Sequence, residues 1–375
     1  MQSSQKIPLI DVHAQNQPLQ AEMLRAIQGV LESGAFILGP EVKAFEEEFR
    51  AYSKVPHAIA CASGSDALLL PLMAANIGAG DEVLVPSFTF YATAGAVARL
   101  GATPVFVDSD ETCNISLADL EKKITPKTKA IIPVHLFGQM VDMEAVLMLA
   151  RSKGLLVIED CAQSIGAEFK GKQAGAWGDY GAFSFYPTKN LGAVGDAGLV
   201  SAADAEKAEA MNMVRVHGSK QRYYHELVGT NSRLDSIQAA VLRVKLRHLK
   251  SYEKGRERVA GLYNKFFASA ALGNELHTPV QAPGRKHVWN QYTVRADKRD
   301  ALRAHLADQG IGSEIYYPLA MHKQVAFKKF LPSAISLPVC EALEREVLSL
   351  PMYPELADSQ VERVVNAVCG FYKGR

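Results

Sequence analysis

The segment SFYPTKNLGAVGDAG, residues 184–198, places Lys189 between an apolar, strand-like run and a glycine-rich turn. Most lysines near strand ends are solvated, yet Pro187 and Leu191 are poor neighbours for an exposed charged side chain. Burial would lower the pKa of Lys189 and favour the free amine, which is the form that attacks a carbonyl carbon. Ser184 could donate its hydroxyl to a phosphate in the same pocket. The pattern therefore predicts a reactive amine in a confined site.

A second segment, VIEDCAQSIGA at residues 157–167, ends a strand-like run with Asp160 and continues to Gln163. A carboxylate at the carboxyl end of a parallel strand faces the crevice in which open α/β sheets bind ligands. Asp160 could pair with a protonated ring nitrogen, ligate a metal, or simply cap a helix. The adjoining residues offer no convincing further ligands, so we expect no metal site.

A third segment, CASGSDALLL at residues 61–70, runs from a strand through small residues into a helix. Free backbone N–H groups and the helix dipole make such a helix start a suitable site for a phosphate. The simpler interpretation is that Ser65 or Asp66 caps the helix.

Two other glycine-rich segments do not fit nucleotide-binding motifs. Residues 166–173, GAEFKGKQ, match GxxxxGK but have Gln173 where a Ser or Thr would hold magnesium, and we predict a hairpin turn there. Residues 192–198, GAVGDAG, lack the GxGxxG spacing. Neither segment supports an NTPase or a dehydrogenase.

Short apolar runs bounded by Gly, Pro and Asp alternate with helical patterns, which is typical of buried strands in a largely parallel sheet. The predicted strands are residues 57–61, 82–86, 104–107, 130–134, 155–158, 181–185 and 198–201. One long helical pattern, 234–267, leads to a smaller unit with predicted strands at 288–295 and 314–317 and helices at 298–308 and 358–371. We predict an α/β fold with a large domain, residues 1–250, and a small α+β domain, residues 251–375.

The composition favours an ordinary globular protein. Of 375 residues, 48% are hydrophobic, and the formal net charge of +1 gives no support for nucleic-acid binding. Five scattered cysteines without a CxxC pair indicate neither a disulfide scaffold nor a zinc site. The first residues lack a signal-peptide pattern and no apolar run is long enough to span a membrane, so we expect a cytoplasmic protein.

Taken in order, several segments of the chain resemble the DegT/StrS group of sugar-nucleotide aminotransferases. These segments are SGSDAL, DEVLVPSFTFYATA, FVDSD, TKAIIPVHLFGQ, VIEDCAQSIGA, SFYPTKNLGAVGDAG and NSRLDSIQAAVL. The resemblance extends over nearly the whole chain. It implies the aspartate-aminotransferase-like fold (fold type I) of pyridoxal 5'-phosphate enzymes, a homodimer with shared active sites, and a role in amino sugar or polysaccharide biosynthesis.

The resemblance also implies roles for single residues. Lys189 would bind the cofactor covalently and Asp160 would hold its ring nitrogen, and both would be catalytic. Further cofactor contacts would come from Gln163 near the phenolic oxygen, from Gly64, Ser65 and Ser184 at the phosphate, from Phe90 stacked on the ring, and from Asn231 of the neighbouring subunit. Without the resemblance, Phe90 would be interpreted as a core aromatic residue and Asn231 as a turn residue.

The resemblance implies a reaction that moves an amino group, with glutamate as the expected donor, to a keto group of a nucleotide-linked sugar, with C3 favoured. Arg233, Tyr317 and His322 are candidate sugar contacts, although all three are also compatible with interface packing. Tyr316 stands where many relatives have a histidine. The alternatives are a C4 aminotransferase acting on a 4-keto-6-deoxy sugar, a sugar dehydratase, an amino-acid lyase of the same fold, and a cofactor-binding sensor. The dehydratases carry His at the position of Lys189, which favours amino transfer.

Overall fold

The strands form where the short apolar runs were predicted. The computed structural model describes residues 6–331 and 335–374. Its strands are β1 (His57–Cys61), β2 (Glu82–Pro86), β3 (Thr103–Val107), β4 (Thr128–Ile131), β5 (Leu156–Asp160), β6 (Glu168–Phe169), β7 (Lys172–Gln173), β8 (Tyr180–Ser184), β9 (Gly198–Ala202), β10 (Ser219–Gln221), β11 (Tyr224–His225), β12 (Leu276–His277), β13 (Arg285–Lys286), β14 (Tyr292–Ala296) and β15 (Val347–Leu350).

Helices separate most of these strands. They are α1 (Val12–Asn16), α2 (Gln20–Ser33), α3 (Pro40–Ser53), α4 (Gly64–Ala74), α5 (Tyr91–Arg99), α6 (Leu117–Lys122), α7 (Met143–Lys153), α8 (Ala205–Val214), α9 (Ser236–Leu246), α10 (Leu249–Ala270), α11 (Arg299–Asp308), α12 (Pro338–Glu346) and α13 (Asp358–Lys373). Short 3-10 helices occur at Gln17–Leu19, Leu136–Gly138, Gly273–Glu275, Met321–Lys323 and Val325–Phe330. No helix in the described ranges combines the length and apolar character needed to cross a lipid bilayer.

A seven-stranded sheet forms the centre of the molecule, in the order β1-β9-β8-β5-β4-β2-β3. Neighbouring strands pair in parallel from β8 to β3, and only β9 runs against its two neighbours, β1 and β8. Alternate residues enter the cores on opposite faces: Leu84 packs on one side, and Val83 and Val85 pack on the other. The prediction of a large, mostly parallel sheet is confirmed.

The smaller sheet, β12-β14-β15, is antiparallel and lies in the C-terminal part of the chain. Helix α10 contributes Leu249 and Tyr252 to the core of the large sheet and Tyr263 and Phe267 to the core of the small one. The domain boundary at residue 250 stays a prediction, and it falls in the first turn of this connecting helix.

Two predicted elements were wrong. The helix predicted over 234–267 is two helices, α9 and α10, because the backbone N–H of His248 bonds to the carbonyl of Lys245 and tightens the chain between them. The strand predicted at 314–317 is reduced to one bridge between Glu314 and Ser349. By contrast, the hairpin predicted at 166–173 is confirmed by the pairing of β6 with β7.

Candidate active site

Four strand ends bring the predicted site residues to one edge of the large sheet. Strands β1, β2, β5 and β8 point the same way, so their carboxyl ends meet at that edge. Asp160 ends β5 and Ser184 ends β8. This is the edge at which open α/β sheets bind ligands.

Helix α4 starts against Ser184. Ser63 is the N-cap, with its Oγ accepting a hydrogen bond from the backbone N–H of Asp66 at 3.2 Å, so the interpretation of Ser65 or Asp66 as the cap was wrong. A Cβ added to Gly64 would lie 2.4 Å from the Cβ of Ser184, so glycine permits this close approach. Ser65 is exposed beside it. Gly64, Ser65 and Ser184 therefore come together at a helix N-terminus, which suits an anion such as a phosphate.

Asp160 is buried with both carboxylate oxygens engaged. Its Oδ1 accepts a hydrogen bond from the backbone N–H of Ala162 at 3.1 Å, and its Oδ2 accepts one from the Thr93 hydroxyl at 2.8 Å. Burial raises the pKa of Asp160, whereas both hydrogen bonds and the positive charge of Lys189 act to lower it. An anion in this position is best stabilised by a cation placed against it.

Lys189 lies in a loop held at both ends. The Lys189 N–H donates to the carbonyl of Tyr186 at 2.8 Å, and the Ala193 N–H donates to that of Phe185 at 2.8 Å. A Cβ on Gly192 would lie 2.3 Å from the carbonyl oxygen of Pro187, so the turn needs glycine there. Half-buried, Lys189 has its pKa lowered to about 8 by desolvation, although the attraction of Asp160 opposes that effect. The glycine-rich segment thus orients an amine that is partly uncharged near neutral pH.

Gln163 and Phe90 both lie against Tyr317. The Gln163 Oε1 accepts a hydrogen bond from the backbone N–H of Phe137 at 2.6 Å, and its Nε2 donates to the Tyr317 hydroxyl at 3.3 Å. The Phe90 ring lies 6.2 Å from that of Tyr317 and is 57% exposed, so Phe90 is not a core aromatic residue. Burial raises the pKa of Tyr317, and the charge of Asp160 adds to that effect.

The other predicted contacts lie outside this group. Asn231 is exposed, and its neighbour Ser232 is buried and donates a hydrogen bond to the Asp66 carboxylate at 2.8 Å. Arg233 is half-buried. His322 is buried, with its Nδ1 2.7 Å from the Ser87 hydroxyl and its Nε2 3.5 Å from Glu341. As sugar contacts, Arg233, Tyr317 and His322 stay predictions.

Several supporting residues had no sequence signal. Asn190 is buried and anchors the lysine loop by donating to the carbonyl of Val288 at 2.9 Å. Glu159 turns away from Asp160 and accepts hydrogen bonds from His135 Nε2 and from three backbone N–H groups at 2.8–3.0 Å. The side chains of His135, Glu159 and Cys161 bring possible metal-ligand atoms together. However, His135 Nδ1 already accepts a hydrogen bond from the Val141 N–H, and His135 Nε2 already donates one to Glu159. Partners distant in the sequence fix each of these positions.

The assembled groups fit pyridoxal 5'-phosphate. Its phosphate matches the N-terminus of α4, and its pyridine N–H matches the buried carboxylate of Asp160. Its aldehyde matches the amine of Lys189, whose pKa is already lowered toward the reactive free base. The aromatic ring of Phe90 is exposed where it can cover the cofactor ring.

Comparisons with known proteins agree with this geometry. A sequence model of the DegT/DnrJ/EryC1/StrS aminotransferase family matches residues 17–369. A protein of Geobacillus stearothermophilus named a pleiotropic regulatory protein is 48% identical over 98% of this chain and 99% of its own. An Acidithiobacillus ferrooxidans protein named UDP-N-acetyl-3-dehydro-alpha-D-glucosamine 3-aminotransferase is 47% identical over 98% of each chain.

Among solved structures, the fold is similar to that of DesV from S. venezuelae, determined in complex with a ketimine intermediate. The TM-score is 0.95, the sequences are 45% identical, and the match covers 99% of both chains. The likeness therefore includes the small sheet as well as the large one. Fold type I and the pyridoxal phosphate cofactor, both implied by the sequence resemblance, are confirmed.

Proposed function

This chain belongs to the DegT/DnrJ/EryC1/StrS aminotransferase family, and we propose that it transfers an amino group from glutamate to the C3 keto group of a nucleotide-linked sugar. One observation carries the proposal. Lys189, with its pKa lowered to about 8, lies close enough to the buried Asp160 carboxylate at the carboxyl edge of the sheet for the two charges to attract each other. The relative from A. ferrooxidans, named as a 3-aminotransferase of a UDP-linked sugar, supports the C3 position.

Each residue of the site has a distinct task in this reaction. When bound, pyridoxal phosphate supplies the carbonyl group and the electron-withdrawing ring that amino transfer needs. Lys189 would hold the cofactor through its amine until the amine of the donor displaces it. The freed amine of Lys189 would then take the proton from the α-carbon of the donor and deliver it to the carbon that carried the cofactor's carbonyl group. Asp160 keeps the proton on the ring nitrogen. Gly64, Ser65 and Ser184 would bind the phosphate, and Gln163 would contact the phenolic oxygen.

The cleft beside the cofactor residues supports a large, anionic second substrate. A cavity of about 510 Å³ extends from Ser65 and Phe90 along α5. Arg99 and Lys329 line the same cavity. A sugar nucleotide carries a diphosphate, and two cations lining the same cavity suit its negative charge.

Exposed apolar side chains support the homodimer. Phe36, Ile37 and Leu38 are 40–49% exposed, and the backbone of Ile37 pairs with that of Asp235, four residues after Asn231. Clustered exposed apolar residues of this kind mark interaction surfaces. In such a dimer Asn231 reaches the phosphate of the other subunit's cofactor.

The five cysteines, all free in the described chain, suit the reducing cytoplasm.

The test is incubation of the purified protein with glutamate and a panel of 3-keto and 4-keto sugar nucleotides, with the position of the new amine read by NMR. A C3 amine formed together with 2-oxoglutarate is the expected product. Only a C4 amine would overturn the C3 assignment, and a dehydrated sugar without a new amine would overturn amino transfer itself.

A further inference from the structure

Thr93, which is 67 residues away from Asp160 in the sequence, donates a side-chain hydrogen bond to the Asp160 carboxylate. It lies in the first turn of α5, is fully buried, and donates its hydroxyl proton to Asp160 Oδ2 at 2.8 Å. Its backbone N–H donates to the carbonyl of Phe90 at 3.3 Å. One helical turn therefore fixes both the aromatic side chain on the ring face and the hydroxyl on the carboxylate.

A second hydroxyl orients the first. The Thr89 Oγ1 lies 3.3 Å from the Thr93 Oγ1, and Thr89 is 1% exposed. A hydroxyl has one proton, and that of Thr93 is directed to Asp160, so Thr89 must be the donor of the second bond. Chains of hydrogen bonds polarise one another, which strengthens the bond that reaches the carboxylate.

The consequence concerns where a shared proton resides. A carboxylate facing a pyridine nitrogen can leave the proton on the ring or take it for itself. Hydrogen bonds donated to the carboxylate favour its charged form and so keep the proton on the ring. Burial alone would favour the neutral acid, so the donors at Asp160 decide the outcome.

We propose that Thr93, oriented by Thr89, is a positioning residue that keeps Asp160 an anion against the cofactor's ring nitrogen. The inference rests on the proposed role of Asp160. The other titratable groups that interact with Asp160 in the described chain are Lys189, His135, Tyr317 and Cys161. They are left intact by changes at Thr93, so a Thr93 variant isolates the contribution of the hydroxyl.

The experiment follows the ring nitrogen directly. The protein is loaded with pyridoxamine phosphate that is ¹⁵N-labelled in the ring, and the ¹⁵N shift is recorded against pH for the wild type, Thr93→Val, Thr93→Ser and Thr89→Val. A hydrogen bond to a charged group is worth enough that Thr93→Val should lower the ratio of ring-protonated to carboxyl-protonated sites about tenfold and weaken pyridoxamine phosphate binding about tenfold. The ¹⁵N shift on the acidic side of the titration should then move toward the value of the unprotonated ring. Thr93→Ser should restore both values, and Thr89→Val should give a smaller change of the same sign.

A matched control separates this effect from general loss of a buried hydroxyl. Thr293 is buried in β14, with its Oγ1 2.8 Å from the Ser349 hydroxyl, so Thr293→Val should leave the ¹⁵N titration unchanged. Unchanged titration and binding in both Thr93→Val and Thr89→Val would overturn the proposal. If the wild-type ring nitrogen titrates as freely as pyridoxamine phosphate in water, the role of Asp160 fails first. If Thr93→Val does not fold, a normal titration in Thr89→Val overturns the proposal.

Discussion

Replacement of Lys189 by methionine should stabilise the cofactor-free protein at neutral pH. Methionine fills a similar volume without a charge, and the ammonium of Lys189 is held where desolvation disfavours it. A pKa lowered from 10.5 to about 8 corresponds to about 3 kcal/mol of destabilisation when the amine is protonated in both states. That lowered pKa already includes the opposing attraction of the Asp160 carboxylate, and solvent that reaches the half-buried amine reduces the penalty, so we expect a net gain of about 1–3 kcal/mol.

The sign of the pH dependence is fixed by the same lowered pKa. Between about pH 8 and 10.5, the unfolded chain binds a proton at Lys189 that the folded chain does not. Stability of the wild type therefore rises with pH through that window, and the penalty is full below about pH 8. The advantage of Lys189→Met should be largest at pH 7 and should disappear as the pH approaches 10.5.

Urea unfolding of the cofactor-free proteins at pH 7 and pH 10 measures both quantities. The exposed Lys127 provides a matched control, since Lys127→Met removes a solvated ammonium and should change stability little at either pH. Lower stability of Lys189→Met at pH 7, or a gain of equal size at both pH values, would refute the reasoning that this amine is held desolvated.

Three further predictions concern the phosphate site, the nucleotide and the dimer. Gly64→Ala should weaken pyridoxamine phosphate binding at least about tenfold, because the new Cβ would lie 2.4 Å from the Cβ of Ser184. Gly29→Ala, where a Cβ meets open space, should bind normally, and equal affinities of the two variants in a fluorescence titration would contradict the prediction. Arg99→Ala and Lys329→Ala should each raise KM for the sugar nucleotide about tenfold and leave the rate of the glutamate half-reaction unchanged in stopped-flow measurements. A slower glutamate half-reaction would contradict a role of these cations in binding the nucleotide alone. Mixing Lys189→Ala with Asn231→Ala subunits should recover up to about a quarter of wild-type activity, because half of the dimers then carry one intact site out of two. Activity no greater than the sum of the separate variants would exclude active sites shared between subunits.

Much of the large sheet could be predicted because its signals are local. Strands β1 and β2 were predicted with their observed limits, since a polar or glycine residue interrupts each apolar run close to the strand end. The break between α9 and α10 had no such signal, because Arg247 and His248 are neither glycine nor proline and the helical pattern continues through them. Strand β15 pairs with β14 across more than fifty residues, so its apolar run alone did not reveal it.

The candidate site likewise contains residues that could be predicted from the sequence and residues that could not. Lys189 and Asp160 could be found because each ends or follows a strand and has few neighbours that would suit a solvated charge. Thr93 and Asn190 could not, because each acts through a partner distant in the sequence, Asp160 for the first and Val288 for the second. A hydroxyl or an amide gives no sequence pattern that distinguishes such a contact from an exposed position.

Reduction of the cofactor-loaded protein with borohydride, followed by peptide mapping, tests the central claim most directly. Borohydride fixes the cofactor to the amine that holds it, so the account predicts one labelled peptide, containing Lys189, and no label in Lys189→Ala. That variant should also lose amino transfer from glutamate to the 3-keto sugar nucleotide. A label on a different lysine, or turnover by Lys189→Ala at the wild-type rate, would contradict the assignment of Lys189 as the reactive amine.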